Sequence, residues 1–408
     1  MVRAVAQVGA STETDDRSLA ITAQSRAGRL GSFGLIRALV IEIMVAAPFA
    51  ALKAPLWVFA AVTVVCLAVV VFTVGRYKGR WWSERIGLAR RFRQRQRTAP
   101  AVVPDRRMRM LRTLAPDLTV TNAAGPDGSP VGIGWDSAGW YAVAVVSASS
   151  SRGAGLDLPL GRLAQLIADT GQAGALVQVV LHTVATPTPL LEADQISTES
   201  YRELLHRYGP VPASQSTWIA VRLDALTLAE ISVGRADPSG QAPEVVAGLI
   251  RKVSRSLERA GVPTRVLDAD GLVDALVYSC DLGVPLVASG GPPEPKREDR
   301  GEWRSATLAH ACYWVEQWPE PKQAGDLIGV LSTTPGAAFT SVAVTLEPDA
   351  DGVELRCLVR VAAPAPLLAA SGDALVHAAG RAGARLLRLD VEQAPAVYAT
   401  APTGGGAR

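Results

Sequence analysis

The stretch from Leu56 to Val74, LWVFAAVTVVCLAVVVFTV, is nineteen residues long and carries no charge. At about 1.5 Å per residue a helix of that length spans about 28 Å, close to the roughly 30 Å hydrocarbon core of a bilayer. A buried core helix is the alternative, but such helices rarely run this far without a charge. The run therefore predicts a membrane span. Trp57 at one end and Tyr77, Trp81 and Trp82 beyond the other suit the aromatic belts of the two interfaces. A second apolar run, Leu35 to Leu52, precedes it and contains Arg37, Glu42 and Pro48. Arg37 is near enough to the end to snorkel. Glu42 lies about 10 Å further in by helical rise. Its carboxylate either reaches the interface or a local partner, or contacts a neighbouring subunit. Pro48 would bend the outer end of this helix, which a bilayer tolerates. Only Lys53, Ala54 and Pro55 separate the two runs, so the sequence predicts a tight transmembrane hairpin.

Charge sets the orientation. Residues 1–100 carry 15 Lys/Arg against 5 Asp/Glu, whereas residues 101–408 carry 26 against 33. Gly75 to Arg97 alone holds nine basic residues and one Glu, among them Arg76, Lys78, Arg80, Arg85, Arg90, Arg91 and Arg93. The positive-inside rule then puts both termini and the main domain in the cytoplasm. Residues 1–30 are polar and lack the apolar centre of a cleavable signal peptide. Ser83 to Gln96 reads as a basic amphipathic helix for anionic lipid or a partner. A nucleic-acid site would need aromatic stacking or a recognisable fold, and Trp81 and Trp82 belong better to the interface. Scarce Lys and abundant Arg, Ala, Val and Gly are what GC-rich codons produce. The four cysteines show no C-x-x-C spacing, so no disulfide framework is expected.

Beyond a Pro/Gly-rich linker the chain alternates strand-like and helix-like runs. Strands are expected at 140–147, 175–186, 217–224 and 264–267, and helices at 159–169, 198–208, 243–260 and 270–279. That alternation predicts a mixed, partly parallel α/β sheet. Residues 304–318 and the pair 338–346 and 353–362 read as antiparallel, followed by a helix at 372–386 and a strand at 387–391. No internal repeat is evident. The expected organisation is a flexible N-terminus (1–32) and a hairpin (33–74, with spans 33–52 and 56–74). A basic juxtamembrane segment with linker (75–129), an α/β domain (130–396) and a disordered tail (397–408) follow.

The chemistry-bearing residues are sparse. His182, His206, His310 and His377 show no metal-ligand spacing and read as packed or surface residues. There is no G-x-S-x-G and no G-x-x-x-x-G-K-[ST]. Asp268-Ala-Asp270 follows an expected strand, where open α/β sheets place ligand groups. The two carboxylates could hold a divalent cation and a nucleotide sugar, which would make the chain a membrane-anchored glycosyltransferase-like enzyme. The simpler reading is a helix N-cap. Asp349-Ala-Asp351-Gly352 reads as a hairpin turn.

Several segments, taken in order, resemble the EccE family, a membrane component of the actinobacterial type VII (ESX) secretion system. They are the hairpin with its Arg-rich exit, LPLGRLAQLIADTGQAGALVQVVLHTVATP (158–187), STWIAVRLD (216–224), RAGVPTRVLDADGL (259–272) and HACYWVEQWP (310–319). The resemblance implies a non-catalytic scaffold subunit of the inner-membrane complex, without cofactor or metal, whose partners are EccB, EccC, EccD and the mycosin protease. It also implies a cytosolic domain like a glycosyltransferase fold that lacks the catalytic set.

Overall fold

The computed structural model describes residues 5–6, 21–23, 31–50, 52, 55–74, 76–77, 80–97, 103–125, 127–147, 160–185, 200, 203, 207, 212–231, 238–283, 297–320, 324–349 and 352–406. Two units divide the chain, Ser25–Ala99 and Met1–Gln24 together with Pro100–Arg408. Two short strands, β1 (Val5–Ala6) and β2 (Ile21–Ala23), belong to the larger one.

The smaller unit packs α1 (Gly31–Ala50) against α2 (Leu56–Val74). Among the described residues α2 is the helix long and apolar enough to cross a membrane, whereas the apolar stretch of α1 is only Leu39–Phe49. Thr63 and Thr73 return their hydroxyls to the α2 carbonyls of Phe59 (2.8 Å) and Val69 (2.7 Å), so neither needs an outside partner. Leu39, Ile43, Phe49, Leu56, Trp57 and Val64 are all more than half exposed. Such a contiguous apolar surface requires a lipid or protein cover. Beyond α2, β3 (Arg76–Tyr77) and β4 (Arg80–Trp81) form a minimal ladder, and α3 (Trp82–Arg97) follows.

In the larger unit Asp105 caps α4 (Arg106–Leu111) by accepting from the Arg107 amide. The strand β5 (Thr119–Ala124) follows, so the expected linker at 75–129 contains ordered elements. The chain then builds β6 (Pro130–Asp136), β7 (Gly139–Val146), α5 (Leu160–Ala168), β8 (Ala175–Ala185) and β9 (Pro212–Asp224). Next come α6 (Ala225–Ile231), α7 (Ala242–Arg259), β10 (Thr264–Val266) and α8 (Ala269–Ser279). The remainder is β11 (Arg297–Glu298), β12 (Trp303–Arg304), β13 (Ala309–Gln317), α9 (Ala324–Ser332), β14 (Phe339–Asp349), β15 (Gly352–Ala363), α10 (Leu368–Arg381), β16 (Arg385–Arg388) and α11 (Gln393–Ala399). The expected helix at 198–208 lies mostly outside the described residues.

One large sheet runs in the order β11-β12-β13-β15-β14-β8-β9-β7-β6-β5. The expected partly parallel sheet is corrected here. All pairings between long strands are antiparallel, and the parallel contact among the described strands is the short β2 on β15. Helical crossovers had suggested parallel neighbours. In fact β7 and β8 do run the same way, but β9 inserts between them and pairs antiparallel to both. Period-2 alternation separates the two faces. Ala142, Ala144, Ile219, Val221, Val342 and Val344 pack towards α5, α7, α9 and α10. Tyr141, Val143, Trp218 and Ala220 face α4, α8 and α11.

The unit is a duplication, contrary to the expectation of no repeat. The order β-β-β-α-β-β-α-β-α occurs at 119–279, with α6 as an addition, and again at 297–399. In both halves the first long strand pairs with the third, and the last short strand returns to the first. Hydrogen bonds repeat as well. The Leu267 amide donates to Val143 O (2.9 Å), as Leu389 does to Cys312 O (3.0 Å). Arg259-Ala260-Gly261 with Leu267-Asp268 matches Arg381-Ala382-Gly383 with Leu389-Asp390, and Gly261 and Gly383 share φ near 80° (82° and 78°). The halves join at the antiparallel β8–β14 pair, as a local two-fold requires.

The tail is corrected too. Residues 393–399 are helical, and Ala401 and Thr403 are fully buried. Gly404 has φ +73°, and a Cβ there would collide with the Arg222 side chain. The glycine run is a close-packing device rather than a loose end.

Candidate functional site

The two carboxylates of the D-x-D pair turn to different partners. Asp268 is the N-cap of α8 and accepts from the Gly271 amide (2.9 Å). Asp270 points away to the Arg107 guanidinium (2.9 Å), which also holds Asp274 (2.8 Å). Among the described residues no group of three His, Cys, Asp or Glu could hold a metal ion. The nucleotide-sugar reading drew on the crevice at the carboxyl ends of parallel strands, whereas among the described residues the adjacent long strands are antiparallel.

The residues expected at a membrane or partner are distributed along the smaller unit. Glu42 is exposed on α1 between the exposed Leu39 and Ile43, and Pro48 sits inside the same helix. Arg37 is on the first turns of α1, while Arg76, Arg80 and Trp81 form the β3–β4 ladder, in which Arg76 opposes Trp81 and Tyr77 opposes Arg80. Trp82 and Arg85 begin α3, and Lys78 lies outside the described residues. Arg90, Arg91 and Arg93 are exposed along α3, whereas Leu88, Phe92 and Arg95 form its more covered stripe. That is the expected basic amphipathic helix.

Sequence reasoning missed a buried polar seam across the central strands, on the face that carries α8 and α11. In the first half Arg222 of β9 forms an ion pair with Asp136 of β6, both almost fully buried. Tyr398 of α11 donates to Asp136 (3.0 Å) and shares a hydroxyl contact with Tyr141 (3.0 Å). Burial pushes both phenols above their ordinary range. Arg222 Nη1 also donates to the carbonyl of Thr403 (2.7 Å). Gln178 completes the seat, donating to Ala399 O (2.7 Å) and accepting from the Gly404 amide (2.8 Å). Thus a strap from the second half closes over an arginine of the first.

The second half reverses the exchange. Arg360 of β15, fully buried, donates through Nη2 to the Ser279 carbonyl at the end of α8 and to Ser341 Oγ (3.1 Å). His182 Nδ1 is 2.8 Å from Ser341 Oγ, and its ring lies against Phe339 (centroids 4.5 Å apart). Asp281 binds Ser305 and faces His310 Nε2 at 3.4 Å. Burial raises the Asp281 carboxyl, but His310, Ser305 and Arg360 outweigh it and hold the group below the usual carboxylate range. Burial, then Arg360, pushes His182 down to about 3. Burial also lowers His310 against the pull of Asp281. The available signal was alternation: in TWIAVRLD, Arg222 falls on the same face as Trp218 and Ala220, an inward face.

The model for the family described as "EccE: Putative type VII ESX secretion system translocon, EccE" matches residues 211–315. That segment of the chain is similar to the EccE family. It covers β9 through most of β13, and so includes Arg222, the capped Asp268 and the His310 end of the seam. The EccE match therefore reaches into both halves of the duplication. No curated protein matches the chain.

Proposed function

We propose that the chain is a non-catalytic scaffold subunit of a type VII (ESX) secretion translocon in the inner membrane. The EccE match over residues 211–315 carries this reading. On it, α2 spans the bilayer, and α1 with its shorter apolar stretch forms the other arm of a hairpin. Both termini and the α/β unit lie in the cytoplasm, following the basic exit at Arg76 to Arg97. The exposed Arg90, Arg91 and Arg93 of α3 contact anionic lipid, each worth about 1 kcal/mol near the surface. The partners are the EccB, EccC, EccD and mycosin components. Asp268 and Asp270 support α8 and Arg107 rather than a ligand.

The test is purification of the tagged chain from native membranes in mild detergent. The reading expects recovery with the translocon ATPase and the other membrane components, and loss of secretion on deletion. Recovery of the chain alone, with secretion intact in its absence, would sink it.

A further inference from the structure

The two halves of the seam differ in one respect that the duplication makes visible. The offset that carries Val143 to Cys312 also carries the pair Gly134–Tyr141 to Trp303–His310. It places Ser305 where the first half has Asp136. The carboxylate that hydrogen-bonds Arg222 therefore has no counterpart at the equivalent position, Ser305, beside Arg360. Asp281 feels the charge of Arg360, but its contacts are with Ser305 and His310, and among the described residues it makes no ion pair with Arg360. Five side-chain atoms here are buried without a hydrogen-bond partner among the described residues: Nε and Nη1 of Arg360, both ring nitrogens of His310 (Nε2 reaches Asp281 only at 3.4 Å) and Oγ of Ser279. Buried donors of a charged group are not normally left unmet, and an ion is one of the standard reasons.

We propose that this half of the seam binds a small monovalent anion, chloride in size, beside Arg360 and His310. The anion takes the place that the Asp136 carboxylate fills in the first half. Arg360 supplies the charge, Ser279 a hydroxyl donor, and His310 an Nδ1 donor once its ring is protonated. The rings of Trp303 and Phe339 flank His310, with centroids 4.9 Å and 5.6 Å from its own, at steep interplanar angles. A chloride suits this setting better than a phosphate, because the unmet donors sit among packed rings.

Charge makes the binding pH-dependent. The groups facing His310 are Asp281 and Arg360, with His182 beyond. Arg360 and the ionised Asp281 already balance, so the anion adds one negative charge unless His310 takes up a proton. Binding therefore tightens as pH falls.

The test uses the full chain in detergent, with thermal unfolding followed while gluconate is replaced by chloride or bromide at constant ionic strength. A saturable rise of about 2–4 °C is expected at tenfold excess over Kd, larger at pH 6 than at pH 8. Ser305→Asp, which installs the first half's carboxylate, should abolish the chloride response. A wild-type chain indifferent to chloride at both pH values overturns the proposal, as does a Ser305→Asp chain that keeps the response. Should Ser305→Asp not fold, bromide anomalous scattering from wild-type crystals decides. A peak within hydrogen-bond reach of Arg360 supports the site, and water alone there refutes it.

Discussion

The buried arginine of the first half is where a single substitution should be felt most. Arg222 has Asp136 as its counter-ion in a dry setting, and removing one partner of a buried pair costs about 3–5 kcal/mol. Asp136→Asn should show that loss in urea unfolding of the full chain. Asp136→Leu combined with Arg222→Met should recover much of it, since an apolar pair leaves no charge behind. The histidines give a pH test. His182, held near 3, and His310, also lowered, stay neutral in the fold while unfolded histidine takes a proton near 6.5. The unfolded chain then binds more protons, so stability falls as pH drops below about 6.5. The slope is about 1.4 kcal/mol per pH unit per histidine, and for His182 it continues towards pH 3. His182→Gln should flatten that slope. A variant that kept the full slope would place the proton uptake elsewhere.

At the scale of elements, α8 separates a cap from a metal ligand. Asp268→Ala should cost about 1 kcal/mol through loss of the bond to the Gly271 amide. Manganese should leave the unfolding of wild type and variant unchanged; a metal-dependent shift would revive the ligand reading. On α1, Glu42→Leu should lower the recovery of translocon partners. Unchanged recovery would mean that the carboxylate only reaches the headgroups. Elements with one strong period were legible in the sequence. The apolar run of α2, the 3.6-residue spacing of α7 and the hairpin joining β14 to β15 all stand where expected. Elements set by tertiary contact were not. Residues 304–318 read as one strand, but a turn at Ser305 separates β12 from β13. The helix α11 is only seven residues long and contains Pro395, and its burial against the seam accounts for it.

For the whole molecule, the duplication stayed hidden because insertions scattered its register. The offset between halves is 169 residues at Val143 and Cys312 but 122 at Leu267 and Leu389. Only the Arg-Ala-Gly and Leu-Asp pairs stayed recognisable, and a fixed-period search passes over them. The seam was illegible for a related reason: each arginine takes one of its partners from the other half, far away in sequence. That exchange has a measurable consequence. Truncation after Thr400 removes residues of the second half, yet amide protection should fall in β8 and β9 of the first, where Gln178 and Arg222 lose the strap. Gly404→Val, which cannot hold φ +73° against Arg222, should act in the same way. Protection lost only around α11 would show the halves to be independent.

The strap also imposes a schedule on synthesis. Arg222 and the carbonyl that closes over it are 181 residues apart. At 5–20 residues per second the ribosome takes roughly 10–35 s to cover that distance. Once the first half has emerged, its charged guanidinium seat stays open until the strap is made. A chaperone, the membrane surface or an incoming partner must shield it, or the half must wait loosely formed. Folding from the N-terminus can start on time, but it cannot finish there.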